Sequence, residues 1–190
     1  MSSAAEIVRY SYAEYLQLER DTGDKYEYLR GEVFLMAGGS LRHSRLKTNA
    51  TIALGAGLGD GPCQAYDADA KIRVPATGLS TYPDLSIICG PPERHPQDEN
   101  AATNPTVIVE VLSPSTEGWD RGPKFKHYQL LASLRDYLLV SSEDVRVEHF
   151  ARADDGAWLY RAHGPGDSVT LASVGLTLRV DDLYRNLPDA

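Results

Sequence analysis

The segment 106–116, T-V-I-V-E-V-L-S-P-S-T, constrains this chain more than any other. Five of its first seven residues are β-branched. Val107, Ile108 and Val109 run without a break, and Val111 and Leu112 resume the run. Such a run predicts a strand buried on both faces of a sheet. Glu110 interrupts it. A carboxylate in a buried strand is costly unless it is paired or binds a cation, so Glu110 is the first candidate functional residue.

The remaining pattern predicts a mixed α/β class. Ser11 is placed to cap a short helix reaching Arg20. Residues 26–36 read as a hairpin with Arg30-Gly31 at its turn. Ser40 is placed to cap a helix from Leu41 to about Leu58, in which Leu46, Asn49, Ala50, Ala53, Leu54 and Gly57 share a stripe. Residues 64–74 alternate as a strand does, with Asp67, Asp69, Lys71 and Arg73 on one face. Residues 75–81 read as a turn, 82–89 as a strand and 90–104 as a polar surface loop. A helix capped by Ser115 or Thr116 is expected to reach about Ser133. Strands at 136–141, 145–151, 157–163 and 169–171 follow, with a helical turn near Asp181.

Composition narrows the function. The 190 residues suffice for one domain with a sizeable core, read here as spanning 1–190. A net charge of −8 argues against a non-specific nucleic-acid coat, but not against an enzyme with a cation in its cleft. No apolar run approaches the roughly 20 residues of a membrane span. Residues 1–9 lack the basic and apolar parts of a leader, so the expected location is cytoplasmic. Cys63 and Cys89 read as reduced core residues, and the five histidines lack zinc-ligand spacing.

The chemistry is expected where strands 82–89 and 106–112 meet. If they pair antiparallel, Asp84 at the start of one approaches Glu110 at the end of the other. Two adjacent carboxylates repel, and a divalent cation relieves that repulsion. Hard oxygen donors favour Mg²⁺ or Mn²⁺, either of which serves phosphate chemistry. At 100° per residue, Lys124 falls on the same arc as Phe125, Tyr128, Leu131 and Ala132, whereas Lys126 falls opposite. A core-facing lysine needs a partner, and the two carboxylates supply one. The bland alternatives stay open: Asp84 as a turn residue, Glu110–Lys124 as a structural ion pair, or Lys124 reaching out to solvent. Arg42, Arg45, Lys71, Arg73 and Arg121 are candidate phosphate contacts.

Three linked motifs resemble a known family. They are Y-P-D at Tyr82 to Asp84, V-E-V-L-S-P-S-T at Val109 to Thr116 and D-R-G-P-K-F at Asp120 to Phe125. Together they resemble the Uma-type putative restriction endonuclease family, placed in the PD-(D/E)xK phosphodiesterase superfamily. The resemblance continues through residues 26–32, 40–43, 133–140 and 175–178, and so covers nearly the whole chain. It implies a restriction-endonuclease-like mixed sheet flanked by helices, with an N-terminal hairpin and C-terminal antiparallel strands. It also implies Mg²⁺ held by Asp84, Glu110 and the main-chain carbonyl of Val111, with DNA as substrate. The superfamily's usual lysine position is Leu112 here, and Lys124 matches the position from which this family draws its lysine. Glu32, His43 and Asp69 match further family positions. Glu32 or Asp69 is then a candidate acidic ligand and His43 a candidate phosphate contact, each beside a purely structural alternative. A homodimer would present two cutting sites to a duplex. A nuclease-like module that only binds, and a hydrolase of other phosphate esters, are the competing functions.

Overall fold

A computed structural model describes residues 8–188. The expectation of a missing leader falls almost wholly on residues outside that range. Helix α1 (Tyr12–Thr22) opens with Ser11 and Glu14 in a reciprocal capping box and ends at Gly23 in the left-handed conformation. Strands β1 (Tyr26–Leu29) and β2 (Glu32–Leu35) form the expected hairpin. Arg30 and Gly31 both take positive φ, the requirement of a tight two-residue turn. Helix α2 (Leu41–Leu58) has the expected bounds and N-cap, and buries Leu46, Asn49, Ala50 and Leu54.

The next stretch departs from expectation. Residues 64–74 are two strands, β3 (Cys63–Asp67) and β4 (Lys71–Val74), which join different sheets across a turn in which Asp67 binds the Asp69 N–H. Alternation carries through such a turn, so periodicity does not mark it. The expected turn at 75–81 ends in a strand, β5 (Leu79–Thr81), followed by β6 (Leu85–Cys89). The expected loop 90–104 holds an edge hairpin, β7 (Arg94–His95) and β8 (Asp98–Ala102), whose polar sequence suits a sheet margin. Strand β9 (Val107–Val111) is the buried run.

The helix expected to reach Ser133 is shorter and irregular. It comprises α3 (Glu117–Trp119), a π-type turn over Asp120–Lys124 and α4 (Phe125–Tyr128). Pro123 lies inside the turn, and its missing N–H and bulky ring disfavour a regular α ladder there. Strands β10 (Asp136–Val140), β11 (Val147–Arg152), β12 (Trp158–His163), β13 (Ser168–Leu171) and β14 (Leu176–Arg179) follow, and α5 (Val180–Leu183) comes last. No helix among the described residues is long and apolar enough to cross a membrane.

The class is mixed α/β, with two large sheets instead of one. The first sheet runs β2-β1-β5-β4-β8-β7 and the second β12-β11-β10-β9-β6-β3, while β13 and β14 pair separately. In the second sheet β9 pairs antiparallel with β6 and parallel with β10. Val107, Val109 and Val111 face a core built with α2, β13, β14 and α5. Ile108 and Leu112 face a second core shared with the first sheet and with Phe125 and Tyr128. Both faces of β9 are therefore buried, and parity turns Glu110 toward the second core.

Cys63 and Cys89 are disulfide-bonded, which corrects the reduced expectation. They stand directly opposite each other in the β3–β6 ladder, a register that spacing along the chain does not disclose.

Candidate active site

Register brings the carboxylates together. Leu85 pairs with Val109, so Asp84 and Glu110 occupy the next positions along the ladder. The Asp84 N–H donates to Glu110 Oε2 at 3.3 Å, and the Val111 N–H donates to Asp84 Oδ2 at 2.7 Å. Each acid is thus fixed to the other's strand. Lys124 enters from the π-type turn, only 4% exposed. Its ammonium lies 2.9 Å from Glu110 Oε1, 3.0 Å from Glu27 Oε1 and 3.3 Å from Asp120 Oδ1. The Tyr128 hydroxyl donates to Glu110 Oε1 at 3.0 Å, and the Thr81 hydroxyl donates to Glu27.

Charge is out of balance here. Burial pushes Glu110 up to about 8, Lys124 opposing and Asp120 and Asp84 reinforcing the rise. Burial likewise raises Asp120 against the pull of Lys124. Burial alone would lower Lys124, but Glu110, Tyr128, Glu27 and Asp120 hold its ammonium well above the usual range. Asp84 goes the other way. Burial would raise it, but His43, the Val111 N–H and Lys47 hold it below its ordinary value. Lys47 Nζ is 3.3 Å from Asp84 Oδ1, and His43 Nε2 is 3.5 Å from Oδ2.

His43 touches the main chain, where a phosphate contact was one expectation. Its Nε2 is 2.9 Å from the Val111 carbonyl oxygen, which can only accept, so Nε2 carries the proton. Its Nδ1 is buried and lacks a partner among the described residues. Gly39 makes room for the ring: a Cβ there would lie 2.4 Å from His43 Nδ1.

A groove of about 320 Å³ opens onto Asp84, walled by Lys47, Thr48 and Thr51 of α2 and by Asp67 and Asp69. Asp69 is ion-paired with Lys25 on this rim. Glu32 lies at the hairpin end, 3.6 Å from Arg9. Of the candidate phosphate contacts, Arg45 is exposed. Arg42 donates to the carbonyls of Ser142 and Pro188, and Arg121 pairs with Glu117 and Glu148. Lys71 and Arg73 are corrected outright. Lys71 is buried between Glu19 and Asp98, and Arg73 is buried over the Tyr12 ring. The turn after β3 ends the shared face that had grouped them with Asp67 and Asp69.

Sequence reasoning missed Glu27, Asp120, Tyr128 and Thr81 as site residues, whereas Lys47 belongs to the basic first turns of α2 that it had noted. Asp120 and Tyr128 lie four residues either side of Lys124, so helical spacing could have flagged both. Glu27 and Thr81 come from the first sheet and carry no such signal.

A sequence profile of the Uma2 family, described as a putative restriction endonuclease, matches residues 12–181. This chain belongs to the Uma2 family. Two Synechocystis relatives carry the names uncharacterized protein slr1290 and uncharacterized protein sll1609. The first is 39% identical over 186 residues, covering 98% of this chain and 97% of its own length. The second is 35% identical over 147 residues, covering 77% and 83%. A solved structure of a putative nuclease belonging to DUF820, from Anabaena variabilis, superposes with a TM-score of 0.70 at 18% identity, over 86% of this chain and 91% of that one. The Uma2 chain thus shares that fold.

The donor set suits a hard divalent cation. Among the described residues no three or more His, Cys, Asp or Glu side chains cluster as metal ligands. Asp84, Glu110 and the Val111 carbonyl, which accepts from the His43 N–H, are oxygen donors of the kind such a cation takes. The pressure that drives Glu110 to bind a proton also favours a cation in its place.

Proposed function

We propose that this protein is a divalent-cation-dependent nuclease that hydrolyses phosphodiester bonds of DNA. The observation that carries the reading is the β6–β9 register, which sets Asp84 against Glu110, itself paired with Lys124. Family membership and the shared fold support it.

Asp84, Glu110 and the Val111 carbonyl would hold Mg²⁺ or Mn²⁺, which supplies Lewis-acid stabilisation of charge on the scissile phosphate. Lys124 holds a fixed positive charge beside Glu110, where it orients an attacking water and steadies the charge that develops on phosphate oxygen. Asp120 and Glu27 keep that ammonium charged and aimed. Lys47 offers a second cation at the mouth of the groove. The His43 N–H fixes the Val111 carbonyl.

The test is incubation of the purified chain with supercoiled DNA, single-stranded DNA and RNA in Mg²⁺ or Mn²⁺. The expected result is cleavage that disappears with EDTA and in Asp84→Ala and Lys124→Ala. Intact substrates throughout would contradict the reading. One observation favours a module that binds without cutting: Glu110 is already paired with Lys124 and accepts from Tyr128, as in a closed structural cluster. Retained binding without turnover in the same assay would select it.

A further inference from the structure

The hairpin that lends Glu27 to the site also leaves apolar side chains in the open. Phe34 and Leu35 on β2 are 50% and 61% exposed, and Leu41 at the start of α2 is 82% exposed. Among the described residues strand β2 is one of the two edges of the first sheet. Phe34 stands directly opposite Glu27 in the ladder, so the two side chains share a face. That face meets the site, because Glu27 contacts Lys124 on it. Directly opposed side chains lie about 5 Å apart at Cβ. The opposite face, carrying Tyr28, packs instead on the Tyr12 and Tyr15 rings. Phe34 is therefore an open aromatic ring beside the Lys124 cluster.

The charge pattern indicates what such a ring meets. The net charge is −8, and Lys71, Arg73 and Arg121 are held by internal partners. Among the described residues the cations at the groove are Lys47, which also faces Asp84, and Lys25, paired with Asp69 on the rim. A duplex, whose bases are stacked within, offers chiefly phosphate to such a surface, and two cations grip it weakly. A single strand also offers base faces, which stack on aromatic rings.

We propose that Phe34 is a stacking platform for a nucleobase, and that the preferred substrate is single-stranded or locally unpaired nucleic acid. This rests on the nuclease reading for its substrate but makes a separate claim about binding. Phe34 acts in positioning, and the chemistry stays with Asp84, Glu110 and Lys124.

The probe is a single-stranded DNA oligonucleotide containing 2-aminopurine, titrated with the full chain in EDTA, alongside its duplex form. The expected result is quenched emission on binding, tighter binding of the single strand than of the duplex, and a shallow salt dependence with a log–log slope of about −1.4 for two phosphate contacts. Phe34→Ala should lose the quenching and bind about 10-fold more weakly. Phe34→Trp should keep both, and unchanged circular dichroism should show that each variant is folded. Equal quenching and affinity in Phe34→Ala, or preference for the duplex, overturns the proposal. A wild-type dimer in sedimentation that Phe34→Ala dissociates also overturns it, because the patch then joins two copies of this chain. Cleavage separates the two claims. If Phe34-dependent stacking occurs without Mg²⁺- or Mn²⁺-dependent cutting, the nuclease reading falls and the platform stands. If cutting of single strands is the same in Phe34→Ala, the platform falls and the nuclease reading stands.

Discussion

Lys71 and Lys124 are both buried lysines held by carboxylates, but their surroundings differ. Lys71 meets Glu19 at 2.7 Å and Asp98 at 2.8 Å, and lies over the Tyr15 ring. Tyrosine hydroxyls complete the set: Tyr15 and Tyr82 donate to Glu19, and Tyr12 donates to Asp98. Arg73 supplies a second positive charge nearby, over Tyr12. There, burial would raise Asp98, but Lys71 and Tyr12 hold it below its ordinary value. Lys124 faces three carboxylates with no second buried cation beside it among the described residues, and Glu110 is pushed up to about 8, burial being the main cause. The balanced cluster braces α1 against the first sheet. The unbalanced one keeps a carboxylate in want of a proton or a cation, next to an open groove. A buried lysine among acids is thus a brace or a site according to whether the charges and hydrogen bonds close.

The contrast breaks most visibly under mutation. Lys124→Met should lower the cleavage rate by about 10²–10³-fold. Lys71→Met should cost about 3–5 kcal/mol in a urea melt by stranding Glu19 and Asp98, while the molecules that stay folded cut at the normal rate. Similar rate losses in both would erase the distinction.

Cation binding should distinguish the clusters next. Mg²⁺ or Mn²⁺ at about 100 times its dissociation constant should stabilise the chain by about 2.7 kcal/mol. Asp84→Asn and Glu110→Gln should lose that gain, and Asp98→Asn should keep it. Binding below pH 8 should release protons, visible by calorimetry in buffers of different ionisation enthalpy, and affinity should rise with pH up to about 8.

Stability should also tilt in opposite directions with pH. Between its ordinary 4.5 and about 8, folded Glu110 keeps a proton that the unfolded chain has released. Its contribution therefore weakens folding as pH rises through that window, and Glu110→Gln should flatten the slope. Folded Asp98 has a lowered value, so its contribution is present above its ordinary 3.8 and is lost as pH falls through the folded value. Asp98→Asn should flatten the acid limb. Denaturant midpoints from pH 3 to 9 would check both.

The smallest effect concerns His43. Gly39→Ala puts a methyl into the ring's place, so the His43 N–H should leave the Val111 carbonyl. A rate loss on the order of 10-fold is expected from the shifted ligand geometry, with little change in melting.

Local rules made much of this legible. Capping and turn residues set α1, α2 and the β1–β2 hairpin, and the apolar run set β9. The Asp84–Glu110–Lys124 grouping was expected from strand direction, helical phase and the family motifs, while the register that seats Asp84 against Glu110 stayed open until the structure. What stayed hidden needed contacts between distant segments. Residues 64–74 alternate across two sheets without a visible break. Glu27 reaches Lys124 from a hairpin far away in sequence. Lys71 and Arg73 looked like surface cations until the tyrosines of α1 closed over them. Cys63 meets Cys89 only through register.

A crystal soaked in Mn²⁺ tests the central claim most directly. The account predicts one anomalous peak bounded by Asp84, Glu110 and the Val111 carbonyl, with Lys124 still beside Glu110. No peak there in a well-soaked crystal, with Glu110 still paired to Lys124, would contradict it and leave the cluster as a second internal brace.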